Sequence, residues 1–233
     1  MNIIACFASS LDGKISTANS SSYVKLGTDT DIEHLMRVRD RADAIVFGAG
    51  TFRAFSKARQ SLNQRRPRSH IILTQGWDLP LDAPLFSQQP TDTSYGDVQY
   101  PVQIASAQPA PSRFEKLLEA GRLIHLPLNG NASPAEQAHQ LLVALENQGH
   151  QTVLFEGGGE TMTHFLEARA IHELYLTLCP RLIGGRNTAS LLGGAAGLSY
   201  PLQTEILTLQ QVGQELYLHL KLHYPHTPEA SSI

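Results

Sequence analysis

The sequence predicts an α/β protein: a mixed, mostly parallel sheet with helices on its faces, closed by a C-terminal antiparallel hairpin. Three observations carry this. Short apolar runs (44–47, 70–73 and 153–155) alternate with segments of helical periodicity, the mark of βα units. Two of those runs end in glycine-rich turns that open into helices, Gly48-Ala49-Gly50-Thr51 and Gly157-Gly158-Gly159-Glu160-Thr161. Two last strand-like stretches are joined by Gly213-Gln214 in hairpin style.

The elements follow in order. Residues 3–9 read as a strand, followed by a polar loop through Asp12, Gly13 and Asn19. Thr30 and Glu33 have capping-box spacing, and Ile32, Leu35 and Met36 continue a helix to about Arg41. A buried strand at 44–47 runs into the first glycine-rich turn and a helix, and 70–73 is the next strand. Residues 76–111, rich in Pro, Gln, Ser and Asp, read as a mobile surface excursion tied to the sheet by one weak strand at 102–105. Ser112 and Glu115 form a second capping-box pattern, with Gly121 as the stop. A strand at 123–126 precedes the strongest helix start, Ser133-Pro134-Ala135-Glu136, and Gly149 ends that helix. After the glycine triplet and its helix come a strand at 173–179 closed by Pro180, a Gly-rich loop from 184 to 194, and strands near 205–211 and 215–224. One domain over 1–224 is expected, with a frayed tail at 225–233.

Composition narrows the function classes. A formal charge of −3 gives no global attraction to nucleic acid or acidic membranes. No apolar stretch has the length of a membrane span, and no signal-peptide layout precedes the first strand. Cys6 and Cys179 lie in apolar runs and read as buried thiols of a reducing compartment, so a cytoplasmic location is the default expectation. Ten histidines include no H-E-x-x-H, and His219 and His223 stand about 13 Å apart on a strand, so no metal site is expected. A serine-hydrolase elbow and a P-loop are absent.

Candidate site residues cluster at strand ends. Glycines after Phe155 let the backbone approach a bound group, and first-turn N–H groups favour an anion, so a phosphorylated ligand such as a dinucleotide is the natural guest. A plain strand-to-helix turn is the competing reading. Gly50 and Thr51 repeat the logic at a second strand end, where one long ligand could lie across both turns. Asp12 and Lys14, flanking Gly13, could steer a ligand or relay a proton, or simply form a solvated turn. Arg39 falls on the face of Leu35 and Met36 and wants an anion, from the protein or from a substrate phosphate; dipole compensation with Arg37 and Arg41 is the bland alternative. Glu156 is placed to accept hydrogen bonds from a substrate ring or from neighbouring N–H groups.

Assembled, these residues resemble the reductase domain of riboflavin biosynthesis in its standalone form. The resemblance rests on Ser10-Leu11-Asp12-Gly13-Lys14-Ile15, Val24-Lys25, Arg39-x-x-Ala42-Asp43-Ala44-Ile45, Gly48-x-Gly50-Thr51, Glu156-Gly157-Gly158-Gly159, Glu173-Leu174 and Pro180-x-Leu182-x-Gly184-Gly185, in family order along nearly the whole chain. It implies a dihydrofolate-reductase-like three-layer fold, a homodimer, and NADPH-dependent reduction of a ribosylamino-pyrimidine 5′-phosphate to its ribityl form, with hydride delivered to the sugar C1′. It places Ala8, Lys25, Thr51 and the backbone from Gly158 to His164 (Gly159, Glu160 and Thr161 among them) on NADPH, beside Gly50 and Gly157 of the two glycine-rich turns, and Tyr23, Arg39 and Glu156 on substrate. Asp12, Lys14 or a bound water would supply the proton.

The chain departs from the family after Thr51. The family's acidic Asp-Asp-Pro or Asp-Asn-Pro segment is replaced by Phe52 to Arg59, which leaves Arg59 or Arg65 as a substitute phosphate contact. Thr74-Gln75 stands where Asp-Ser is frequent, so NADH stays open as the donor. Two other readings remain: a paralogue reducing a different small molecule, and a non-catalytic NADPH-binding protein.

Overall fold

The computed structural model describes residues 1–17, 25–63, 68–87, 102–194 and 197–225. Nine strands form one sheet: β1 (Asn2–Ser10), β2 (Ala44–Gly48), β3 (Ser69–Leu73), β4 (Val102–Ser106), β5 (Leu123–Pro127), β6 (Thr152–Phe155), β7 (Glu173–Cys179), β8 (Gln203–Val212) and β9 (Glu215–His223). Their order across the sheet is β5-β4-β3-β2-β6-β1-β7-β9-β8. The first seven pair in parallel, and β9 runs antiparallel between β7 and β8. Gly213, at φ +61°, turns the hairpin.

Both faces of the sheet are covered, which is why its central strands read as continuous apolar runs. On one face Ile3, Ala5, Val46, Val153 and Phe155 pack against α5 (Pro134–Asn147) and α6 (Gly159–Glu167). On the other, Ile4, Cys6, Ile45, Phe47 and Leu154 meet α1 (Asp29–Arg39) and α2 (Ala49–Ala54). The same face also holds the four-residue α3 (Pro84–Ser87) and α4 (Glu115–Glu119). Ser133 caps α5 as its sequence predicts: its hydroxyl accepts from Glu136 N–H at 3.3 Å, and Glu136 Oε2 takes the Ser133 N–H at 2.7 Å.

Three expectations fail for identifiable reasons. Thr30 and Glu33 do not cap α1. The N-cap is Thr28, whose N–H and hydroxyl are taken by Glu215 of β9 at 2.7 and 2.8 Å, so a tertiary contact replaces the local one. The Ser112–Glu115 box is also absent, because residues 112–114 wind as a 3₁₀ turn before α4. The surface excursion after Gly76 is partly core in its described residues: Trp77, Leu79, Ala83, Leu85 and Phe86 are buried while Asp78, Leu81 and Asp82 stay exposed, and Trp77 Nε1 donates to Gln108 O at 2.9 Å. The weak strand at 102–105 is β4, buried at every position between β3 and β5. Residues 88–101 and the tail beyond 225 lie outside the described residues.

Candidate active site

The sheet order places β6 beside β2, yet α2 leaves β2 towards one face and α6 leaves β6 towards the other. Between two such departures an α/β sheet opens a crevice at its C-terminal edge. A cavity of about 590 Å³ lies there. Ala8 at the end of β1, Gly50 and Thr51 of α2, Gly157 and Gly158 after β6, and Asp31, Leu35 and Arg39 of α1 all line it, with Phe55, Arg59 and Glu156. A second depression of about 520 Å³, beside Glu136, His139 and Glu167, lies away from the strand ends.

The glycine triplet divides into different tasks. A Cβ at Gly157 would lie 2.0 Å from the Phe155 ring, and one at Gly159 would lie 1.9 Å from Ser190 O. These two glycines therefore accommodate the protein's own packing. The loop after β7 covers Gly159 and Glu160, with Gly193 against the Glu160 amide and Thr163 Oγ1 donating to Gly193 O at 2.8 Å. Only at Gly158 does the open side face the cavity, where a Cβ would sit in ordinary contact, 3.6 Å from Thr51 Oγ1. Gly158 is the N-cap of α6 and has no side chain to satisfy the first-turn N–H groups. Thr161 packs its hydroxyl against Gly48, which locks the two glycine-rich turns together.

The charged floor is a buried ion pair. Arg39 Nε and Nη2 donate to Glu156 Oε1 and Oε2 at 2.6 and 2.7 Å, with the side chains 10% and 8% exposed. Arg59 approaches the same carboxylate at 3.6 Å, stacks over Phe47 and Phe55, and donates Nη1–H to Phe55 O at 2.8 Å. Burial would raise the Glu156 carboxyl, but Arg39, then Arg59 and His70, hold it below the usual carboxylate range. His70 Nε2 accepts the Arg59 N–H at 2.9 Å, and burial, with Arg59 next, drives its pKa down to about 4. Arg39 thus takes its anion from the protein, and Glu156 its donors from arginines rather than from backbone N–H groups.

Other candidates lie elsewhere. Asp12 and Lys14 are not among the residues lining the cavity. Asp12 accepts from Ser10 Oγ at 2.6 Å and from Gly184 N at 2.6 Å, contacts that hold it down at about 2 and ionised at neutral pH. Lys14 Nζ donates to Ser190 Oγ at 2.9 Å. Both tie the first strand to the loop after β7. Lys25 pairs with Asp29 on an exposed surface. Tyr23 and Arg65 lie outside the described residues. Among the cavity-lining residues that sequence reasoning did not single out is Asp31, a buried acid in the first turn of α1. Among the described residues, no group of three metal-ligating side chains forms, and no helix is long and apolar enough to cross a membrane.

Comparison with known proteins places this geometry. The model of the RibD C-terminal domain matches residues 1–218. The chain belongs to that family. It is 26% identical over 193 residues to the 2,5-diamino-6-ribosylamino-4(3H)-pyrimidinone 5′-phosphate reductase of Aquifex aeolicus, covering 79% of each chain. RibD of Acinetobacter baumannii superposes with a TM-score of 0.72 at 20% identity, over 96% of this chain but 58% of that one. A pyrimidine reductase-like protein from Corynebacterium diphtheriae gives 0.76 at 21% identity, covering 96% and 92%. The fold is the dihydrofolate-reductase-like one.

Proposed function

We propose that this chain is the reductase of riboflavin biosynthesis that converts a ribosylamino-pyrimidine 5′-phosphate to its ribityl form. The observation that carries this reading is the cavity at the switch point, in a chain of the RibD C-terminal domain family, with Gly158 alone of its triplet left open to a guest. That opening, the uncapped first turn of α6 and the Thr51 hydroxyl fit the pyrophosphate of a nicotinamide dinucleotide. When bound, a reduced nicotinamide supplies hydride; NADPH is the proposed donor, with NADH the alternative.

The chain's own residues then position and exclude. Gly50, Thr51, Gly157 and Gly158 hold the dinucleotide beside Ala8. The apolar wall of Leu26, Ile32 and Leu35 keeps water from the reacting carbon. The Arg39–Glu156 pair and Arg59 present a fixed, buried field to the sugar and its phosphate. Held in reacting register by these residues, donor and acceptor would gain most of their rate from positioning.

A homodimer belongs to the same proposal. The outer strand β8 exposes Ile206, Leu207 and Leu209, and a second copy paired along it would cover an otherwise open edge. A reducing, cytoplasmic setting suits the two buried free thiols. One observation favours a second reading, a reductase of another small molecule. Arg39 and Arg59 are both engaged by Glu156, and the segment after Thr51 departs from the family. Turnover of the ribosylamino-pyrimidine phosphate with NADPH, followed by loss of nicotinamide absorbance, tests the proposal. Tight nucleotide binding without oxidation by this substrate supports the second reading instead.

A further inference from the structure

We infer that Asp12 is a positioning residue: its carboxylate staples the loop after β1 to the loop after β7, and through the ribbon these loops form it sets the wall against which the dinucleotide lies. The inference rests on the reductase reading above and concerns the cofactor side of the same site.

The two loops make one object. Ile15 N–H donates to Ala189 O and Leu191 N–H to Gly13 O, both at 2.9 Å, so Lys14 and Ser190 face each other in an antiparallel bridge. Leu11 N–H reaches Arg181 O at 2.9 Å, and Lys14 Nζ donates to Ser190 Oγ at 2.9 Å. One side of this ribbon supplies Ile15, Ser16 and Ala189 to the cavity wall. The other lies on the first turn of α6. A Cβ at Gly159 would stand 1.9 Å from Ser190 O, one at Gly193 would stand 2.7 Å from Glu160 N, and Thr163 Oγ1 donates to Gly193 O at 2.8 Å. A shift of the ribbon therefore displaces both the cavity rim and the turn proposed to hold the pyrophosphate.

The staple itself stands outside the cavity. Asp12 Oδ1 accepts from Ser10 Oγ at 2.6 Å and from Ile183 N–H at 3.1 Å, and Oδ2 accepts from Gly184 N–H at 2.6 Å. Gly184 and Gly185 take φ of +69° and +85°, so the chain turns there in a conformation that other residues resist. Hydrogen bonds to an ionised acceptor are roughly twice as strong as neutral ones, and these join both loops at one carboxylate. Ser10, then the Gly184 and Ile183 amides, hold that carboxyl down at about 2, so at neutral pH Asp12 is an acceptor with no proton to give. With the staple cut, the ribbon samples positions in which the cradle is not formed. The apparent affinity for the dinucleotide then falls in proportion to the competent fraction.

The test titrates NADPH into wild type and Asp12→Ala by nicotinamide fluorescence, beside steady-state kinetics with the ribosylamino-pyrimidine phosphate. In Asp12→Ala the Kd and KM for NADPH are expected to rise about tenfold, as they do when a tenth of the molecules hold the competent ribbon. Turnover at saturating NADPH and KM for the pyrimidine are expected to change by less than about threefold. A double-mutant cycle shows the route. Ser190→Ala cuts the Lys14 tie of the same ribbon, so its effect on Kd combines with that of Asp12→Ala to less than the product. Thr51→Ala reaches the dinucleotide from α2, and its effect multiplies with that of Asp12→Ala. Should Asp12→Ala fail to fold, Asp12→Asn keeps one acceptor and loses the charge, for which a rise in Kd of about threefold is expected. Wild-type NADPH affinity in a folded variant, whatever its melting temperature, overturns this inference alone, and so does a collapse of turnover at unchanged Kd. A wild type that binds neither NADPH nor NADH overturns the reductase reading with it.

Discussion

Replacing Gly158 by aspartate separates ligand binding from folding more cleanly than any other change in the cavity. The backbone at 158 (φ −75°, ψ 163°) suits any residue, and the new Cβ meets nothing nearer than Thr51 Oγ1 at 3.6 Å. Aspartate is also a preferred N-cap, so α6 gains a few tenths of a kcal/mol. The ligand fares differently. The carboxylate takes the first-turn N–H groups that a phosphate would use, and places a negative charge roughly 4 Å from the pyrophosphate. At an effective dielectric of about 20 that repulsion is about 4 kcal/mol per unit charge, or about a thousandfold in Kd. Fluorescence titration with NADPH and a parallel melting curve read both quantities. The expected outcome is an unchanged or slightly raised melting temperature and binding weakened beyond about a hundredfold. Gly158→Ala, which adds only the methyl, is expected to cost about 1 kcal/mol of stability and to weaken binding far less. Wild-type affinity in Gly158→Asp would refute the phosphate cradle.

Other expectations follow from the same geometry. Gly159→Ala forces a methyl against Ser190 O, so the loop after β7 must shift; a loss of about 1–3 kcal/mol is expected, and an unchanged melting temperature would contradict it. Glu156→Gln leaves two buried guanidinium groups without their counter-charge, for which a loss of about 3–5 kcal/mol in urea unfolding is expected; a double-mutant cycle with Arg39→Met should show strong coupling, and additive losses would argue against the pair. His70 is held neutral in the fold, with a pKa of about 4 against about 6.5 unfolded. Its stability contribution is complete above pH ~6.5 and fades as the pH falls towards 4, by at most about 3 kcal/mol. In His70→Gln that part of the slope should vanish, and parallel pH profiles would sink the assignment.

Much of the fold was legible because its signals are local. Apolar runs bounded by turns gave the parallel strands, and Ser133-Pro134-Ala135-Glu136 satisfies its own backbone within one turn. The misread elements are those where a distant residue outcompetes a neighbour. Glu215 lies 187 residues from Thr28 and takes the hydrogen bonds that a local box would have made. Trp77 sits among polar residues, at φ +57°, and is buried because its ring packs 5.1 Å from Phe114 and its N–H reaches Gln108. Composition counted its neighbours, not the pocket it fills.

The site shows the same division, and it decides what a motif can mean. Glu156-Gly157-Gly158-Gly159 reads in sequence as one ligand-binding unit. In the structure its carboxylate serves Arg39, its first glycine serves Phe155, its third serves the loop at Ser190, and its second is the glycine whose open side is left to the cavity. Three of the four residues would be required in a protein that bound nothing. The motif therefore marks a way of folding that leaves one opening at the switch point, and most of the cavity wall comes from elements outside it. Asp31 of α1 is part of that wall, and its sequence signal is misleading. Asp29-Thr30-Asp31 in a first helical turn looks like dipole compensation by exposed acids. Only the approach of Thr177 from β7 and the space left by Gly27 turn the second acid inward. A motif of this kind accordingly reports the fold and the opening it leaves, and the character of a guest has to be read from the cavity walls that distant elements supply.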